Sequence, residues 1–154
     1  MATENTRRIF LGAVGAAAAA RSEGAAMEKV TGIGGLFFRA SDPKALAKWY
    51  SDHLGIDLVP SKSGDQSWRQ EAGPCAFNPF PEKTTYFGDD TKRWMVNFRV
   101  RNMDKMAAQL RAAGITVDTD PKVYPYGRFA RLHDPEGNPI ELWEPVIPAE
   151  PKKQ

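Results

Sequence analysis

Apolar and polar positions alternate most clearly near the C-terminal end of the chain, on the two sides of a tight turn. The turn lies at residues 134–138 (DPEGN), where Pro presets φ and Gly permits a positive φ. The segments that flank it, within residues 127–145, are therefore predicted to be two antiparallel strands. In the second strand Ile140 and Leu142 share one face, whereas Glu141 lies on the other. We therefore expect Glu141 to point away from the aliphatic side, toward a cavity or solvent.

The chain also contains an internal repeat. Residues 38–42 (FRASD) match residues 98–102 (FRVRN), and after each copy the alternation gives way to the helical spacing of apolar residues. A capping side chain before Pro43 marks the start of the first helix. Gly55 and Gly114 stand where a left-handed residue ends each helix. Two similar halves are therefore expected.

Each predicted helix is followed by short strand-like stretches, which Gly and Pro interrupt. The first of these stretches lie at residues 56–59 and 115–117, and residues 84–87 are taken as the closing strand of the first half. Each half thus has the order strand, helix, three strands. The predicted fold class is α+β, with two βαβββ modules.

Several motifs resemble those of the vicinal oxygen chelate superfamily, which includes glyoxalase I, bleomycin-resistance proteins and extradiol dioxygenases. The resemblance covers roughly residues 30–145, and it is carried by the closing turn and strand and by GLFFRASDP at 35–43, Trp49-Tyr50 and Leu54-Gly55. It implies paired modules whose sheets curve around one cavity. It also implies that a glutamate aligned with Glu141 commonly binds a metal. Because this scaffold serves isomerisation, ring cleavage, thiol addition and sequestration, the resemblance specifies the fold more closely than the activity.

Length and composition allow one domain. The chain has 154 residues and a net charge of +2, with Lys and Arg scattered along it, so no nucleic-acid partner is expected. No apolar run approaches the roughly 20 residues of a membrane span. The single cysteine, Cys75, cannot form an internal disulfide and is expected to be a small buried strand residue. We place the domain at residues 27–147 and a flexible tail at 148–154.

The first 26 residues differ from the rest in kind. They contain Arg7-Arg8 followed by an Ala/Gly-rich stretch and small residues at 24–26, which resembles a twin-arginine export signal with a cleavage site. On this interpretation the mature protein begins near Met27 and lies in the bacterial periplasm or outside the cell. The alternative is that residues 1–26 are a disordered extension, or that Met27 is the true start and the protein is cytoplasmic.

The positions at which the resemblance implies metal ligands lack suitable side chains. The opening-strand position is Gly35 in the first half and Met95 in the second, and neither suits a hard divalent ion. The presumed closing strand at 84–87 has no carboxylate, which leaves Glu141 alone, whereas a catalytic metal needs about three protein ligands. We therefore expect no metal and no cofactor. Of the two histidines, His53 is expected at a helix end. His133, beside the closing turn, is expected to stabilise that turn or to face solvent, and the alternative is that it touches ligand.

The remaining side chains on the face of Glu141 predict a binding pocket. Counting in twos along the predicted strands places the following residues there: Phe37, Arg39, Asn97, Arg99, Phe129 and Arg131. Each arginine offers a rigid set of donors that suits a carboxylate or a phosphate. In glyoxalase I the arginine aligned with Arg39 helps to hold the anionic end of glutathione. The alternative is that Arg39 or Arg99 forms an internal ion pair with Glu141 or Asp104.

These features predict a protein that binds a small, anionic, partly apolar molecule without a metal. One alternative is a glyoxalase-like or lyase-like enzyme that uses Glu141 as general base. Another is a sequestering protein of the bleomycin-resistance type. The loop at residues 77–81 is a candidate to close over the pocket. From the resemblance alone we also expect a homodimer.

Overall fold

The computed structural model describes residues 27–60, 62 and 66–146. The predicted export signal and the predicted tail at 148–154 lie outside these residues. The chain divides into two compact units, residues 1–37 and residues 38–154. Within the described part of the first unit there is no helix or strand, and Phe37 is 95% exposed.

The second unit consists of two helices and a four-stranded sheet. The helices are α1 (Pro43–Leu54) and α2 (Met103–Ala112), and the strands are β1 (Val96–Arg99), β2 (Asp118–Thr119), β3 (Gly127–His133) and β4 (Pro139–Pro145). The sheet order is β1-β4-β3-β2; β1 is parallel to β4, and the other pairs are antiparallel. The α+β class is confirmed. The second half has the predicted order of strand, helix and three strands.

The helix boundaries follow the predicted capping signals. Asp42 Oδ1 accepts hydrogen bonds from Lys44 N at 3.1 Å and Ala45 N at 3.0 Å, which satisfies free donors at the start of α1. Gly55, with φ of 69°, ends the same helix in the left-handed region, where a side chain would be strained. Gly114 takes a similar φ of 79° after α2. Local chemistry therefore sets these ends.

The core lies between the helices and one face of the sheet. Its buried apolar residues are Leu46, Tyr50, Val100, Met103, Ala107, Leu110, Val117, Ala130, Leu132, Ile140 and Leu142. The alternation in β4 accounts for this arrangement, because Ile140 and Leu142 are fully buried on the helix side. Burial of each such side chain contributes about 1.5–3 kcal/mol. Within the described residues neither helix has the length and apolar character that a membrane crossing requires.

Several predicted strands are absent from the described residues: the opening strand around Phe37 and Arg39, and the stretches at 56–59, 84–87 and 115–117. After α2, Ile115 N donates to Leu110 O and so closes the helix end, which delays the strand until Asp118. Residues 84–87 lie in successive turns, in which backbone N–H groups bond to carbonyls three residues earlier. Residues 56–59 have no ladder partner among the described residues, and Val59 is 88% exposed. A strand persists only where its backbone groups are paired.

The turn between β3 and β4 binds the start of α1. Glu136 Oε2 accepts from Ser41 N at 2.8 Å, and Oε1 accepts from Asp42 N at 2.9 Å. Asp134, in the same turn, is buried and accepts from Tyr50 Oη of α1 at 2.9 Å. The closing hairpin of the second half therefore holds the helix of the first half.

Candidate functional site

The sheet face opposite the core carries a polar row that crosses all four strands. In register across the sheet lie Asn97 of β1, Glu141 of β4, Arg131 of β3 and Asp118 of β2. Glu141 is only 5% exposed, although it lies on the face away from the aliphatic core. The prediction that Asn97, Arg131 and Glu141 share one face is confirmed.

Glu141 is the centre of this row. Its Oε1 accepts a hydrogen bond from Tyr86 Oη at 2.6 Å, and its Oε2 accepts one from Asn97 Nδ2 at 2.7 Å. Arg131 Nη2 lies 3.7 Å from Oε1 and supplies the opposite charge. A buried carboxylate needs such partners, because removal from water otherwise disfavours the charged form.

Tyr86 reaches Glu141 from the turns at residues 84–88, and the sequence analysis did not identify it. The Arg131 guanidinium lies 4.0 Å from the centre of the Tyr86 ring, and Arg131 Nη1 donates to Tyr86 O at 3.1 Å. Phe80 stacks on the same ring at 4.8 Å. Burial, followed by the hydrogen bond to Glu141, raises the pKa of the Tyr86 phenol above its ordinary value. Residues 84–87 lack a carboxylate, as the sequence indicates, and it is the Tyr86 phenol that reaches Glu141.

A second row beside the polar one is largely aromatic. Arg99, Trp143 and Phe129 lie in register on β1, β4 and β3. The Trp143 and Phe129 rings are parallel, with centroids 6.3 Å apart. Gly127 is required next to them, because a Cβ there would approach Trp143 Nε1 to 2.6 Å and Glu144 O to 2.3 Å. This row places two aromatic side chains in the strand positions next to Glu141 and Arg131.

The predicted arginines have different surroundings. Arg131 contacts Glu141, as described above, whereas Arg99 Nη2 donates to Glu71 O at 2.5 Å and its guanidinium lies against Gly73. Arg39 is exposed and has no hydrogen bond or ion pair with any described residue. The structure therefore brings one of the three guanidiniums to Glu141.

Glu141 and Asp104 both form ion pairs, but with arginines other than the predicted Arg39 and Arg99. Glu141 is paired with Arg131. Asp104 is bound by Arg128, whose Nη2 and Nη1 lie 2.7 and 2.9 Å from its two carboxylate oxygens. This hydrogen-bonded pair lowers the pKa of the Asp104 carboxyl. Neither carboxylate contacts Arg39 or Arg99 among the described interactions.

An open groove of about 550 Å³ lies next to this site, beside the part of β3 that extends beyond β2. It is lined by Trp49, Ile115, Thr116, Asp118, Arg131, Leu132, His133, Asp134 and Pro135. Arg131 and Asp118 belong to both the groove lining and the polar row. His133 lies on the groove wall, whereas His53 lies in the last turn of α1, as predicted.

The donor set around Glu141 does not fit a divalent metal. It consists of one carboxylate, a phenol, an amide and a guanidinium, and both carboxylate oxygens already accept hydrogen bonds. Nowhere in the described part of the chain do three or more His, Cys, Asp or Glu side chains come together as a metal site.

The expectation that Cys75 is buried in a strand is wrong: it is exposed, in a segment without a ladder partner among the described residues.

The fold is that of a glyoxalase-like domain. The family with that description matches residues 35–143, and the chain belongs to it. No curated protein matches the chain.

Solved structures resemble the chain at low identity. TnmS3, an antibiotic-binding protein from Streptomyces sp. CB03234, is 27% identical, with 68% of this chain and 88% of that chain covered and a TM-score of 0.43. A glyoxylase/bleomycin resistance protein/dioxygenase domain from Frankia sp. EAN1pec is 17% identical, with 77% and 100% covered and a TM-score of 0.51. A structure from the mobile metagenome of V. Pseudocholerae is also 17% identical, with 79% and 99% covered and a TM-score of 0.52. The last two comparisons show a shared fold.

Proposed function

We propose that this protein binds a small, anionic, partly aromatic molecule on the sheet face that carries Glu141, without a divalent metal. The observation that carries the proposal is the adjacency of two rows on that face. The polar row holds Asn97, Glu141, Arg131 and Asp118, and the row beside it holds Trp143 and Phe129. Apolar walls with a few convergent polar groups are what small-molecule sites require.

Arg131 is the group best placed to hold the anion. Its side chain is 41% exposed, and its nearest carboxylate oxygen is 3.7 Å away, which is long for a hydrogen bond. The guanidinium is always charged, so a ligand carboxylate or phosphate can complete its set of contacts. The flat part of the ligand then lies on Trp143 and Phe129.

The test uses aromatic carboxylates and their methyl esters as probes. We expect 1-naphthoate to bind more tightly than methyl 1-naphthoate, as measured by calorimetry and by quenching of Trp fluorescence. Arg131→Ala should lose about 1.5–3 kcal/mol of binding free energy for the carboxylate, because a charge-assisted hydrogen bond is lost. Arg131→Lys should recover only part of this loss, since a point charge does not reproduce a two-pronged contact.

Arg128→Ala is the matched control, because Arg128 lies on the same strand but binds Asp104 instead. It should leave the affinity for 1-naphthoate unchanged. The proposal fails if the acid and its ester bind equally, or if the Arg131 and Arg128 variants behave alike.

A second candidate function is catalysis with Glu141 as general base, in a glyoxalase-like or lyase-like reaction. The observation that favours it is a carboxylate 5% exposed on a ligand-facing row, with a phenol 2.6 Å away. Once a substrate is known, Glu141→Gln should abolish turnover while binding is nearly retained. A sequestering protein instead releases its ligand chemically unchanged, which mass spectrometry of the recovered ligand tests.

We also propose a homodimer, on the basis of family membership alone. Light scattering at high micromolar concentration should give twice the mass of the chain. A monomeric mass at that concentration would contradict the proposal.

A further inference from the structure

The Tyr86 side chain makes the contacts with Glu141 and Arg131 that a small aromatic ligand could make. Its hydroxyl donates to Glu141 Oε1 at 2.6 Å, and its ring lies against the Arg131 guanidinium at 4.0 Å. Phe80 stacks on the ring at 4.8 Å with an interplanar angle of 21°. One residue thus uses both the acceptor and the cation that the polar row presents.

The segment that carries Tyr86 is attached to the sheet mainly through this residue. Among the described residues, two hydrogen bonds link residues 81–88 to the sheet. Tyr86 Oη donates to Glu141 Oε1, and Arg131 Nη1 donates to Tyr86 O. The other hydrogen bonds of the segment are local, within turns such as Thr84 N to Pro81 O at 3.0 Å. A segment with so few connections can open at low cost in free energy.

We infer that the Tyr86 side chain competes with the ligand for Glu141 and Arg131. The ligand is then an aromatic molecule whose hydroxyl group replaces the Tyr86 phenol on Glu141. This inference rests on the proposed function and names the class of molecule that the same site selects. Both Glu141 oxygens accept hydrogen bonds, from Tyr86 and from Asn97, so the carboxylate favours a ligand with a hydroxyl donor over an ether. The anionic group of the ligand contacts Arg131 after the Tyr86 ring has left it.

The probes are 4-hydroxybenzoate, which has the hydroxyl donor, and 4-methoxybenzoate, which lacks it. We expect the first to bind more tightly to the unmodified protein. In Tyr86→Phe the competing hydroxyl is absent, so the affinity for 4-hydroxybenzoate should rise about five- to tenfold, the equivalent of one hydrogen bond. 4-Methoxybenzoate must displace the same ring, so its affinity should rise by a similar factor and remain below that of 4-hydroxybenzoate. Tyr86→Ala should increase the affinity for 4-hydroxybenzoate at least as much.

Displacement can also be observed directly. With tyrosine labelled at Cζ, the NMR signal that disappears in Tyr86→Phe belongs to Tyr86. This signal should shift toward that of a solvent-exposed phenol when 4-hydroxybenzoate is added. Tyr124→Phe is the matched control, because Tyr124 also donates to a carboxylate, that of Asp120, at 2.9 Å. It should leave both affinities unchanged.

The outcomes separate this inference from the proposed function. If both probes bind but Tyr86→Phe weakens 4-hydroxybenzoate or leaves its affinity unchanged, Tyr86 is a fixed wall of the pocket and the inference is wrong. If neither probe binds to the protein or to any variant, both the inference and the proposed function are overturned.

Discussion

At the scale of single residues, Asp134 makes the clearest contribution to stability. It is 4% exposed, and its two oxygens together accept from Tyr50 Oη, Asn138 Nδ2 and the backbone N–H groups of Glu136 and Asn138. Tyr50→Phe removes a hydrogen bond to a buried carboxylate, so the free energy of unfolding should fall by about 1.5–3 kcal/mol in urea titrations. Tyr126→Phe is the control, because its side chain is 58% exposed, and it should change stability little. Equal losses in the two variants would contradict this role of Asp134.

The same pair predicts how stability depends on pH. Burial, and then the charge of Asp134, raises the pKa of Tyr50 above its ordinary value. The unfolded chain therefore releases this proton first, once the pH exceeds about 10. Stability that Tyr50 contributes is fully present below that pH and is lost as the pH rises further. The free energy of unfolding should fall more steeply at alkaline pH in the unmodified protein than in Tyr50→Phe; parallel curves would contradict this.

At the scale of elements, the contact between the closing turn and α1 is testable. Glu136 accepts from Ser41 N and Asp42 N, which precede the helix. Glu136→Ala leaves both donors without this partner and should reduce the free energy of unfolding by about 1 kcal/mol. Glu82→Ala is a suitable control, because Glu82 is exposed and makes no hydrogen bond with the described residues. If the two variants are equally stable, the turn does not hold the helix.

At the scale of the whole molecule, the predicted export signal concerns residues that the structure does not describe. If Arg7-Arg8 direct twin-arginine export, the mature protein should begin near Met27 and be found outside the cytoplasm. Replacement of both arginines by lysine should retain it inside, as cell fractionation and N-terminal sequencing can show. An unprocessed cytoplasmic product of the unmodified gene would contradict the prediction.

The parts of the fold that local chemistry determines could be predicted from the sequence. Period-two alternation placed Asn97, Arg131 and Glu141 on one face, and capping signals located the ends of α1. Contacts between distant segments could not be predicted in this way. Arg99 is directed to Glu71, 28 residues away, and Tyr86 reaches Glu141 across 55 residues. No local pattern encodes such contacts, because they depend on how the turns pack.

The parallel pairing of β1 with β4 has a consequence for the order of folding. The β3–β4 hairpin closes through the turn at 134–138, whereas Asn97 and Glu141 are 44 residues apart. Because the entropy of loop closure rises with loop length, we expect the hairpin to form in the folding transition state and β1 to join afterwards. Asn97→Ala should then accelerate unfolding and leave the refolding rate nearly unchanged in stopped-flow measurements, and slower refolding would show that β1 joins early. In this order of events Glu141 loses its water late, and the polar row is complete only when β1 has docked.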